Sequence, residues 1–402
     1  MHNILDVRRY QKTTERTDSM HVTEIYVKER KATAITSMAG IGDDIYLGLT
    51  GGNHALAKYN TKTESIELCT EVFPWANCTN HCTKIHNALS VLDDNSLILG
   101  EGNHFTWDGL PVYNGYLSCE LPEYMLERKR AQGFEDLKYS DFCLNDISTW
   151  DRERDDPGGK IVRYFPESDS IEVVASLPKY LYVQSLKTDP VRRLAYGNTI
   201  PDNHFFAVDI DKKTIKDFGR ISEYAFHNLV IAPNGICYGG YIDISGRSLK
   251  LLRFDYNKQS LCYTEKTILK EIGGKIAGNQ GIDQWLVTKS GRVFVGMVAG
   301  SQLYEFDYKN EEFHFIANCS DSGRTPVLEE DENGIIYIGA GYPNMHIVRF
   351  DPSTGDITDC GVVNDNLSRC YFHASLYHNK KLYLGETDGF SPSLHIVDTD
   401  TL

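Results

Sequence analysis

One phrase recurs along this chain and limits what it can fold into: an apolar strand, a polar turn, a second strand ending in glycine, a loop, and a third strand that often closes on Asp or Asn. It reads I-T-S-M-A-G-I-G-D-D-I-Y-L-G from Ile35 and H-N-L-V-I-A-P-N-G-I-C-Y-G-G from His227. It returns as Q-W-L-V-T-K-S-G-R-V-F-V-G from Gln284 and as T-P-V-L-E-E-D-E-N-G-I-I-Y-I-G from Thr325. With His86, Gln184 and His373 as further openings there are seven copies, mostly 41 to 57 residues apart. That is the period of a four-stranded propeller blade. Apolar residues at alternate positions, and turn signals such as Asp93-Asp94-Asn95 and Glu332-Asn333-Gly334, make these segments strands. After His373 only three strands fit before Leu402, and V-T-E-I-Y-V-K-E from Val22 has the alternation to supply a fourth. The sequence therefore predicts an all-β, seven-bladed propeller, one domain over 1–402, whose N-terminal strand closes the last blade and leaves no unpaired end.

One interval breaks the period. After His104 the pattern halts, and it resumes only before Arg163. The insertion, Phe105 to Pro157, holds Trp107, Tyr113, Tyr116, Tyr139 and Trp150 and a short amphipathic helix predicted over Leu121 to Ala131. A loop of this length in a repeat fold either binds something or is disordered, and its aromatic content argues against disorder. In a propeller the first strand of each blade lines the central channel, so the residues that open those strands converge on one mouth. Here they are His86, Gln184, His227, Gln284, Arg324 and His373. Such polar groups cost burial energy unless they are hydrated, paired or used. His104 falls on the same face, where the insertion is expected to lie as a lid. Arg163 begins the third strand of that blade and is expected to reach the same pocket.

The chemistry is narrowed by what the chain lacks. A formal charge of -15 and a pI of about 5.3 repel phosphate backbones and anionic membrane surfaces. No apolar run reaches the length of a signal-peptide core or a membrane span, which leads to the expectation of a cytoplasmic chain with neither nucleic-acid nor membrane partners. Ten cysteines at irregular spacings suit reduced thiols, and Cys78 with Cys82 and His81 has no second ligand pair at zinc-finger spacing. There is no Gly-x-Ser-x-Gly, no P-loop and no dinucleotide fingerprint. No carboxylate pair stands at the predicted mouth, which weakens a two-carboxylate glycoside hydrolase. Histidine, tyrosine and arginine dominate instead. They fit β-elimination at a uronic acid, in which a cation neutralises the carboxylate, a base removes the proton at carbon five, and an acid protonates the departing oxygen at carbon four.

A seven-bladed propeller with His86, His104, Arg163 and His227 at these spacings around a long aromatic insertion resembles the propeller-type polysaccharide lyases, among them the ulvan lyases and the lyases acting on rhamnosyl-glucuronate ends. The resemblance implies a uronate-containing oligosaccharide or polysaccharide as partner. It makes the two histidines, with a tyrosine of the insertion, base and acid. Tyr139 is the nearest candidate for that tyrosine. Arg163 and His227 would hold the carboxylate, with Arg324 as a further candidate. No cofactor is required, although some relatives carry a structural divalent metal, for which His227 and His373 would be the ligands. Two rivals stay open. One is a metal-dependent oligogalacturonate lyase, whose tight Gln-and-His cluster is missing here. The other is a scaffold that binds a protein or glycan without catalysis; the Gly-His and Trp-Asp repeat signatures of WD propellers are missing as well.

Overall fold

A computed structural model describes residues 20–402, except 53, 76–82, 104–111, 114–115, 118–122, 137–157, 201, 223–227, 243–247, 270–280, 299, 322, 365–369 and 388–391. The described strands form seven antiparallel blades in the order of the repeats, and the fold is a seven-bladed β-propeller. Blade two shows how the insertion enters. Its first two strands are Leu89–Val91 and Leu97–Gly100, and its third, Lys160–Phe165, pairs directly with the second across the intervening 59 residues of chain. The chain just before the insertion is strapped to blade one, where Gly102–Asn103 pairs with Thr83–Lys84, and that pair adds on to Asp44–Thr50. One α-helix is present among the described residues, Glu123–Ala131, which starts two residues later than the sequence predicts.

Each blade runs from a dry interior to a wet rim, and the sequence follows that gradient. Second strands such as Asp44–Thr50 in blade one are buried on both sides, because neighbouring blades cover both faces. The outermost strand of the same blade, Ser65–Leu68, is mostly exposed. The glycine that ends the second strand in nearly every repeat has a steric cause. A Cβ on Gly48 would stand 2.8 Å from the Ile85 side chain at the head of blade two, and one on Gly385 would stand 2.6 Å from Ile35 of blade one. On Gly296 it would stand 2.4 Å from the Thr325 carbonyl oxygen of blade six. The missing side chains let each blade lean onto the first strand of the next.

The ring closes as the alternation at the N-terminus predicts. Val22–Tyr26 pairs antiparallel with Ser393–Val397, from Val22 opposite Val397 to Tyr26 opposite Ser393. The strand ends three residues before Glu29, because the Glu29 carboxylate accepts the amides of Lys31 at 2.6 Å and Ala32 at 2.7 Å and curls the chain into blade one. The six described cysteines, four of them buried at Cys69, Cys237, Cys319 and Cys370, are free thiols. No helix among the described residues is long and apolar enough to cross a membrane.

The inter-blade glycines make a direct test of this packing. Gly296→Ala forces a methyl against backbone, which cannot rotate away, and should cost about 1–3 kcal/mol, the usual range for overpacking. Gly133→Ala, where a Cβ meets nothing within 4 Å, carries only the strain of its left-handed backbone at φ 97°. Urea unfolding of the two variants should rank them in that order, and equal midpoints would show that blade spacing does not depend on this contact.

Candidate functional site

First strands of adjacent blades are laced together at one end of the channel. His86 precedes the first strand of blade two, and its Nδ1 lies 2.9 Å from the carbonyl oxygen of Gln184 in blade three. A carbonyl only accepts, so Nδ1 carries the proton and Nε2 keeps the lone pair in the neutral ring. On the other side, Thr36 and Ser37 of blade one donate their hydroxyls to the Ile85 carbonyl at 2.8 and 2.9 Å. His86 is thus fixed from two blades, and it is 1% exposed.

Around the mouth, rings follow one another. His86 and His373 have centroids 5.7 Å apart, His373 and Tyr371 5.3 Å, and Tyr371 and Tyr342 5.6 Å. The file runs from a buried imidazole, past the half-buried His373, to Tyr342 at the exposed rim. Arg324 opens blade six and lies over the Tyr371 ring at 5.9 Å. Its Nε donates to Asp283 of blade five at 3.1 Å, and its Nη2 meets the other oxygen of that carboxylate. Asn228 and Gln284, which open blades four and five, are joined amide to amide. Deeper in the channel, Glu329 of blade six accepts the Ser375 hydroxyl at 2.6 Å and the Tyr377 amide at 3.2 Å. Burial pushes that carboxyl up, opposed by these bonds and by Lys187 of blade three, whose own ammonium is pulled down by burial.

The structure therefore brings His86, His373 and Arg324 to one mouth. Arg163 is elsewhere, and this corrects the expectation for it. The third strand descends from Lys160, so Arg163, opposite Ile98, is carried toward the far face. There its Nε donates to Ser96 at 2.8 Å, its Nη2 pairs with Asp94 in the hairpin turn, and the guanidinium lies 4.8 Å from the Phe165 centroid. His104, Tyr139 and His227 lie outside the described residues. Sequence reasoning missed Tyr371, Tyr342 and Asp283. The first was findable, since Tyr371 stands only two residues before His373. Asp283 sits one residue before an assigned opening, and only the inter-blade geometry shows that it holds Arg324.

The described helix of the insertion rests on blade seven at the mouth end. Arg128 forks onto Glu386, with Nη2 to Oε2 at 2.8 Å, and reaches Glu24 of the closing strand at 3.1 Å. Burial alone lowers the Arg128 guanidinium, but the hydrogen bonds and charges of Glu386 and Glu24 outweigh it and raise it further. Lys129, with no exposed surface, donates to the Glu29 carbonyl at 2.8 Å, and burial pulls it down to about 7. Arg30 pairs with Asp136 just beyond the helix at 2.9 Å. Among the described residues one group has donors close enough for a metal ion, Glu24, Glu386 and His395. Arg128 already fills the cation position there, while burial holds His395 down toward its neutral form. Of the expected metal ligands, His373 does not belong to this group, and His227 lies outside the described residues.

No family model matches the chain, and no curated protein sequence matches it. Solved structures do. A catalytically inactive variant of virginiamycin B lyase from Staphylococcus aureus, solved with quinupristin, is 8% identical with a TM-score of 0.57, over 94% of this chain and 99% of that one. A chain of the mitotic checkpoint complex is 12% identical with a TM-score of 0.58, over 99% and 98%. The protein YCF48, bound to a D1 peptide, is 11% identical with a TM-score of 0.55, over 94% and 95%. At these identities the likeness shows the propeller fold alone.

Two substitutions test how the insertion is held. Arg128→Ala leaves the fully buried Glu386 without its counter-charge, and the loss should be about 3–5 kcal/mol, as for other buried pairs broken on one side. Lys129 has a pH signature. Its folded-state value near 7 lies below the usual 10.5, so between those limits the unfolded chain holds a proton that the folded chain does not. Stability should therefore rise with pH across that window. In Lys129→Met that rise should vanish, and urea titrations at several pH values would show whether it does.

Proposed function

We propose that this propeller is a lyase that cleaves a glycosidic bond to a uronic acid by β-elimination at the His86–His373 mouth. The observation that carries the reading is the imidazole pair, in which one ring is locked in a single tautomer behind a second ring that faces the channel. His373 is the partly exposed member and meets the substrate; His86, almost fully buried, orients it. The expectation from sequence placed His86 among the base and acid groups with His104 and Tyr139, without deciding which of them is the base. His373 takes the proton from carbon five, and the electron pair forms the bond between carbons four and five as the carbon four to oxygen bond breaks. Arg324, held by Asp283, faces the carboxylate on which the enolate charge develops. Tyr371 and Tyr342 give the sugar apolar faces on which to stack.

The proton for the departing oxygen is assigned, from the sequence resemblance, to His104 or Tyr139, and His227 joins Arg324 at the carboxylate on the same ground. Arg163 has no part. No step requires a metal, and a structural divalent ion at His227 and His373 stays with the sequence resemblance. A virginiamycin B lyase among proteins of the same fold is consistent with this reading.

A panel of uronate-containing glycans, followed by the ultraviolet absorbance of the unsaturated product, tests the proposal. On a substrate that the parent cleaves, His373→Ala should lower kcat by about two to four orders of magnitude with KM nearly kept. His86→Ala should lower it less and shift the pH profile, since it acts through its neighbour. Absorbance-silent turnover, or none on any member of the panel, would sink the lyase reading and favour a binding scaffold.

A further inference from the structure

On the face opposite the mouth, the turn between the third and fourth strands of a blade usually packs against the blade before it. Asp169 of blade two takes the Thr70 amide of blade one at 3.0 Å. Tyr256 of blade four lies under Arg192 of blade three at 5.1 Å, and the Pro352 carbonyl of blade six accepts from Arg292 of blade five at 3.0 Å. Between blades four and five, Glu311 pairs with Arg253 while the Tyr308 carbonyl receives the Tyr238 hydroxyl at 3.4 Å. Blade seven has no such turn. Its third strand ends at Asp398 in a short 3-10 turn, Thr399–Thr401, and its fourth begins anew at Val22.

Among the described residues the junction between blades six and seven is accordingly open, with a cleft of about 490 Å³ lined by Arg349, Tyr337, Tyr377 and Lys380 among others. Arg349 is the blade-six counterpart of Arg253. Each sits on a third strand opposite a second-strand tyrosine, Tyr337 for Arg349 and Tyr238 for Arg253. Arg253 has its carboxylate in Glu311; the Arg349 guanidinium makes no hydrogen bond or ion pair among the described residues, and its charge only adds from a distance to the Ser353 hydrogen bond that holds the Asp351 carboxyl down. The carboxylates beside it take their hydrogen bonds from other groups. Asp331 takes the amides of Asn333 and Ile335, both at 2.8 Å, Asp351 takes the Ser353 hydroxyl at 2.6 Å, and Glu332 takes the Tyr377 hydroxyl. Asp400 stands 3.4 Å from Lys380.

We propose that this cleft is a docking site for a peptide segment of another protein that presents a carboxylate close to a lysine or arginine. The carboxylate meets Arg349 as Glu311 meets Arg253, and the neighbouring cation is taken by the acidic rim of Glu332 and Asp400. Charge decides for such a mixed segment over a simple anion, because four carboxylates against Arg349 and Lys380 leave the cleft net negative. The template is the chain's own blade-five turn, Tyr308-Lys309-Asn310-Glu311, in which the basic residue stands two places before the acid.

A capped synthetic tetrapeptide of that sequence, titrated into the whole protein and followed by calorimetry, tests the site. Saturable binding is expected. Replacing its glutamate by glutamine, or Arg349 by Met in the protein, should weaken binding at least about tenfold, the effect of one charge-assisted bond. Arg349→Lys should recover part of it, and the parent's thermal midpoint should be kept in both variants. Equal binding of the glutamate and glutamine peptides, undiminished binding to Arg349→Met, or no saturable binding to the parent would each overturn the proposal. None of these outcomes bears on turnover at the mouth.

Discussion

Close approach between blades is the constraint on which the rest of this structure depends. Second strands end in glycine because the next blade's first strand occupies the space that a side chain would take, as at Gly48 against Ile85 and Gly385 against Ile35. This contact sets the spacing of the ring, and the spacing sets which side chains reach across the channel. His86 can bond to a carbonyl of blade three, and Arg324 to a carboxylate of blade five, only because neighbouring first strands stand within hydrogen-bond reach. A looser ring would leave these same polar groups buried without partners, at a cost of about 1–3 kcal/mol each.

The arrangement at the mouth divides labour by depth. Nearest the solvent, Tyr342 and Tyr371 present ring faces. Further in, His373 is partly open and backed by an imidazole whose protonation is dictated by a backbone carbonyl. At the far end of the channel a carboxyl held by Ser375 and by the Tyr377 amide faces an ammonium on the opposite wall. The two imidazoles thus stand apart from the buried carboxyl and ammonium below them, and the stretch between is lined by neighbouring first strands whose polar groups bond to one another.

The fold was legible because its signals are local. The alternation within each strand, the Asn-Gly and Asp-Asn turns, and the recurrent glycine each report on a few neighbouring residues, and the count of copies then fixes the ring. Even the closing strand was readable, since Val22–Tyr26 alternates and the last repeat is one strand short. The site was legible only in part. First-strand openings placed His86, His373 and Arg324 correctly, as that rule depends only on blade topology. Arg163 was misplaced because the direction of its strand, and not its distance along the chain from His86, decides which face it reaches. Asp283, Glu386 and Glu24 were invisible as partners, because their cations come from other blades or from the insertion.

Arg128 joins two parts of the chain that the repeat pattern leaves unrelated. It belongs to the insertion of blade two and ends on Glu386 and on Glu24, which lies in the strand completing blade seven. The seam where first and last segments of the chain meet is therefore clasped from above as well as zipped edge to edge. Linkage makes this reciprocal: whatever frees the helix weakens the hold on the seam, and whatever tightens the seam resists lifting of the helix by the same free energy. Docking of the helix and mechanical integrity of the ring are, through one guanidinium, the same equilibrium seen from two ends.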